Sequence, residues 1–117
     1  MPTILPPSTN RSTDLDRFRS LGREVERMLS GVRRSLDEEI RTYPTPIPRC
    51  DAQFNHVYEQ RVRLTLTLER VNSALAHGDA AEGLAGALSE FATAPAFSDR
   101  ADEQDLKARV GAALKRR

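Results

Sequence analysis

Cys50, Asp51, His56 and Glu59 are the densest gathering of reactive side chains in this sequence. A thiol, an imidazole and two carboxylates are groups from which a small metal site or a thiol-dependent enzyme is built. Their spacing works against both. His56 and Glu59 stand three apart, neighbours on a helix, but a di-iron bundle needs a Glu-x-x-His pair on each of two helices plus further carboxylates. One such pair is present, and its order is reversed. Cys50 is the only cysteine, which removes any internal disulfide, and its distance from His56 matches no zinc-ligand pattern. Cys50 does precede a helix start, where the dipole favours a thiolate. His56 lies about two turns further on and is badly placed to act as its base. The cluster reads best as a capped helix start with exposed polar residues. The expectation is no catalytic residue, no bound metal and no cofactor, with the four-residue site kept as the alternative.

Other polar residues have similarly plain readings. Arg19, Arg23 and Arg27 form a row at four-residue steps, a solvated helix face or a strip for phosphate groups. Glu24 and Glu26 stand beside it and weaken its field. The formal net charge is +1, acids and bases interleave throughout, and there is no tryptophan. A nucleic-acid binder needs a basic excess and stacking aromatics, so weak nucleic-acid binding through this row is only a second alternative. His77 suits the negative end of a helix. The alternating prolines Pro44, Pro46 and Pro48 hold the chain extended, as a rigid spacer or a docking segment.

These residues are positioned by helices. Residues 1–12 hold three prolines and small polar residues and read as a disordered tail; residues 13–117 read as a single helical domain. Thr13 and the carboxylates after it mark a first helix over about 14–42. Its apolar residues Leu15, Phe18, Val25, Leu29, Val32 and Leu36, with Gly22 in series, recur by threes and fours, the seam of one helix facing another. The prolines end it. Asp51 caps a second helix over about 52–77, whose seam is Phe54, Val57, Arg61, Leu64, Leu68, Val71 and Leu75, followed by Gly78 as a left-handed C-terminal residue. Arg61 is its one charged member, a snorkelling side chain or a register-fixing charge. Asp79 and Glu82 form a capping box for a third helix over about 79–93, weakened by Gly83 and Gly86, and a fourth spans about 99–115.

The two seams agree with each other. Leu36 opposite Val57, Leu29 opposite Leu64, Val25 opposite Leu68, Gly22 opposite Val71 and Phe18 opposite Leu75 all satisfy one antiparallel register. A second stripe on the second helix, Tyr58, Val62 and Leu66, lies on another flank. The second helix is therefore expected to be the middle element, with the two short helices packed on it. The expected architecture is all-α: a long antiparallel, coiled-coil-like hairpin with two shorter C-terminal helices. No apolar run approaches the roughly 20 residues that a bilayer demands, and no secretory signal opens the chain; the expected location is cytoplasmic. The expected function is a non-enzymatic helical interaction or assembly module. Tyr58, Arg61, Val62 and Leu66 are its contact residues, and the partner is a second copy of the chain or another protein.

Overall fold

The computed structural model describes residues 7–48, 50–77 and 81–116. Among them are four helices, α1 (Pro7–Arg41), α2 (Ala52–Ala76), α3 (Ala81–Thr93) and α4 (Ala101–Lys115), and no strand. The all-α class is as expected. The start of α1 is not: it begins at Pro7, inside the stretch expected as a tail. Proline is well suited to a first helical turn, because the missing N–H has no intrahelical partner there and the ring presets φ. Thr13 consequently lies within α1 instead of capping it. Residues 1–6 lie outside the described residues, as do Gly78 and Asp79, on which the expected helix end and capping box fall.

Asp51 does cap α2, its carboxylate accepting the Phe54 N–H at 2.9 Å. His77 closes the same helix: its backbone N–H donates to Ser73 O at 3.0 Å, and its Nδ1 lies 2.8 Å from that oxygen. Between α1 and α2 the prolines run exposed, with a cis bond between Thr45 and Pro46.

The seam residues Phe18, Val25, Leu29, Val32 and Leu36 of α1 and Val57, Leu64, Leu68 and Val71 of α2 are all buried. Their register differs from the expected one. Leu75, expected opposite Phe18, lies against Gly22, at 3.0 Å from where a Cβ would stand. Asp37 pairs with Arg61 across the hairpin, and the Tyr43 ring meets Phe54 edge-on at 5.1 Å. Each contact places its α1 residue four or five positions, about one helical turn, beyond the expected partner. A heptad seam presents apolar residues again after every turn, so the hydrophobic pattern alone tolerates the slip. Pairings that pattern does not weigh fit the observed register: a glycine facing a large leucine, an ion pair and an aromatic contact.

The middle element is α1, not α2. α1 packs against all three other helices, and α3 also touches all three, whereas no Cα of α2 lies within 8 Å of one in α4. Neighbouring helices alternate in direction. Leu84 at the start of α3 meets Gly22, Arg100 before α4 reaches Gly31, and Arg109 further along α4 reaches back to Glu24. The result is an up-down-up-down bundle with α1 and α3 on its short diagonal and α2 and α4 at the far corners. The third and fourth helices do not cover the outward face of α2 because α3 fills the groove between α1 and α2, and α4 follows α3 onto α1. The α3–α4 connection sits level with Gln60 and Arg63 of α2. Beyond it the hairpin continues as a two-helix stub with the Tyr43–Phe54 contact near its tip.

Candidate interaction surface

Asp51 is occupied as the cap; the Phe54 N–H, then the Tyr43 hydroxyl, hold its carboxyl below the usual aspartate range. The same carboxylate pushes the Tyr43 hydroxyl up. Cys50 is exposed, and so are His56 and Glu59. His56 opens onto a hollow that it shares with Glu39, Gln53 and Asp99. Among the described residues, no three His, Cys, Asp or Glu side chains are grouped so as to hold a metal ion. Among the described residues no helix is long and apolar enough to cross a membrane.

Arg61 belongs to the hairpin. Half-buried and paired with Asp37, it ties α2 to α1 and stands apart from the other three expected contact residues. Those three share one line. Tyr58, Val62 and Leu66 recur every four residues, so each lies about 40° around the helix from the last. They retain 52%, 43% and 51% of their surface, in a chain whose other large apolar side chains are mostly covered. The stripe continues toward the hairpin tip, where Tyr58 stacks on Phe54 with ring centroids 6.4 Å apart and Ile47 is also exposed. Polar residues border it: Asn55 and Glu59 at one end, Glu69 and Ser73 at the other. A contiguous exposed apolar stripe with a polar rim is the usual form of a protein-binding surface.

The most buried polar network among the described residues gathers around the 94–98 connection. Glu103 is wholly buried. Its carboxylate accepts the Phe97 N–H at 2.8 Å, the Ser98 hydroxyl at 2.8 Å and the Lys107 ammonium at 2.9 Å. Lys107 also donates to Ala94 O at 2.9 Å. Its Nζ lies 5.5 Å and 5.3 Å from the centroids of the near-parallel Phe91 and Phe97 rings. From α2, Gln60 donates to Phe97 O at 2.6 Å, and Arg63 bonds Pro95 O and Ala96 O at 3.0 Å while lying over the Phe97 ring. Burial pushes the Glu103 carboxyl up, but hydrogen bonds from Lys107, Phe97 and Ser98 outweigh it and hold the group below the ordinary glutamate range. Side chains from α2 and α4 satisfy the backbone groups of this connection and fix it in place. The network positions α3 and α4 against α2. A signal for it does exist in the sequence: Glu103, Leu106, Lys107, Val110 and Ala113 follow one helical stripe, which puts the charged pair on the buried side.

No family model, curated protein or solved structure matches this chain.

Proposed function

We propose that the chain is a non-enzymatic interaction module that self-associates through the outward face of α2. The supporting observation is the exposed line of Tyr58, Val62 and Leu66 on a helix otherwise packed along its seam. A helix of a second copy complements that face. In an antiparallel pairing about a twofold axis at Val62, Tyr58 meets Leu66 of the other copy at both ends of the apolar stripe. One further turn out, the Asn55 amide meets the Glu69 carboxylate, giving a donor and an acceptor at each rim. Twofold dimers are the commonest closed assembly, and a twofold interface needs this kind of self-complementarity. Three side chains fall short of the roughly 800 Å² per partner of a stable complex, so the expected affinity is micromolar.

Sedimentation equilibrium across the micromolar range tests the reading. The wild type is expected to move from monomer to dimer mass. Leu66→Glu, whose side chain is already half exposed, is expected to keep its helicity and thermal midpoint and to stay monomeric. A wild-type chain that remains monomeric at hundreds of micromolar refutes self-association, as does a Leu66→Glu variant that dimerises like the wild type.

A further inference from the structure

The groove between α1 and α4 carries a second, independent feature. Arg27, Gly31 and Arg34 recur at steps of four and three along α1, and Arg100 and Arg109 face them from the α4 side. With Glu24 and Asp102 they line an open hollow of about 360 Å³ over Met28 and Leu106. Four guanidiniums meet two carboxylates there, and a third, Asp105, bonds Arg109 at 3.2 Å from beside the hollow, which leaves an excess of one positive charge. Both lining carboxylates are already engaged. Asp102 holds Arg100 through two bonds of 3.0 Å and 2.7 Å, and Glu24 holds Arg109 through two of 3.2 Å and 3.1 Å. Arg27 and Arg34 form no ion pair among the described residues.

Gly31 is the floor of this hollow. The point where a Cβ would stand lies 3.6 Å from Arg100 Nη1 and 4.0 Å from Arg34 Nη2. Two like charges therefore converge over a residue with no side chain, and only one of them has a carboxylate. Bidentate pairing fixes Arg100 and Arg109 in place, so a ligand does not have to order them. We propose that this groove binds a small, multiply charged oxyanion of the phosphate class, held between the guanidiniums of Arg34 and Arg100 over Gly31 with Arg27 beside it. Planar guanidinium forks match phosphate oxygens in pairs, and Arg27 and Arg34, neither paired with a carboxylate among the described residues, supply two positive charges to a multiply charged anion. No Cα of α2 lies within 8 Å of one in α4, and the groove, between α1 and α4, lies away from the Tyr58 stripe. Its occupancy does not depend on self-association.

Inorganic pyrophosphate is the probe, titrated calorimetrically at low ionic strength, where surface charges are least screened. Saturable one-to-one binding is expected. Arg34→Gln and Arg27→Gln should each weaken it at least fivefold, while Arg70→Gln, on α2, leaves it unchanged. Gly31→Leu, which places a side chain between the two guanidiniums, should abolish binding while the thermal midpoint holds. A parallel arm uses neutral vesicles with and without a phosphoinositide. Arg34-dependent binding in both arms assigns a lipid headgroup as the source of the phosphate, and in the pyrophosphate arm alone a free anion. Non-saturable binding, or equal weakening by Arg70→Gln, overturns the proposal in favour of diffuse surface charge. Binding of a single-stranded oligonucleotide without any binding of pyrophosphate overturns it too.

Discussion

Replacing Glu103 with alanine is expected to be among the most destabilising single changes in this protein. The carboxylate has no exposure and accepts three bonds, from Phe97 N–H, Ser98 Oγ and Lys107 Nζ. Its removal leaves the Lys107 ammonium, itself only 9% exposed, with neutral carbonyls and two ring faces, and leaves the Phe97 N–H without its acceptor. Breaking a buried ion pair from one side costs about 3–5 kcal/mol, a large part of the roughly 5–15 kcal/mol that holds a domain together. Glu103→Gln keeps the shape and an acceptor and should cost about 1–3 kcal/mol. In the double variant Glu103→Leu/Lys107→Met neither charge remains, so its loss should fall well short of the summed single losses. Urea unfolding followed by circular dichroism gives all of these values in one cycle. The pH dependence has a definite sign. Because the folded carboxyl lies below its unfolded value of about 4.3, its contribution is complete above that value and disappears as pH falls through the folded one. The acid limb of wild-type stability should therefore flatten in Glu103→Gln. A Glu103→Ala loss under about 1 kcal/mol, or strict additivity in the cycle, would refute the clamp as described.

The remaining predictions concern packing. Leu64 is fully buried, and Leu64→Ala should cost about 2–5 kcal/mol in the same unfolding assay. Gly22 and the α3 glycines should respond in opposite directions. Gly22→Leu forces a side chain into Leu75 and Leu84, at 3.0 Å and 3.3 Å from the Cβ position, and should destabilise by about 1–3 kcal/mol. Gly83 and Gly86 have nothing within 4 Å of that position, so changing both to alanine should stabilise by about 1–2 kcal/mol, read as a raised thermal midpoint.

Much of this bundle was legible because helix periodicity and punctuation are local. The seams of the two long helices, the Asp51 cap and the Tyr58–Val62–Leu66 stripe all follow from residue spacing, and each stands where spacing put it. What failed is what spacing does not encode. A heptad seam matches itself after one turn, so register was decided by Gly22 facing Leu75, by the Asp37–Arg61 pair and by the Tyr43–Phe54 contact. The expected middle element was wrong for a related reason. Two apolar flanks on α2 suggested two covered sides, but α3 can fill only one groove, and α4, tied by Arg109 to Glu24, follows it onto α1. Phe97 drew no attention between small residues after a proline, and an i,i+4 Glu-Lys pair usually means a solvated face. Only its sharing a stripe with Leu106 and Val110 betrays Glu103 and Lys107 as buried.

The diamond cross-section has a consequence for how the molecule opens. An amide in α3, or in the part of α1 alongside it, sits on the short diagonal and becomes exposed only when the whole bundle comes apart. The hairpin stub beyond the α3–α4 connection rests on one layer of contacts between two helices, and its aromatic tip can separate while the four-helix section stays closed. Free energies of local opening span from near zero to the global value within one fold, and here they should descend along the long axis. The least stable cooperative unit then lies next to the Tyr58 end of the exposed stripe. A partner seated there would meet a surface able to adjust, above a rigid base that keeps its place.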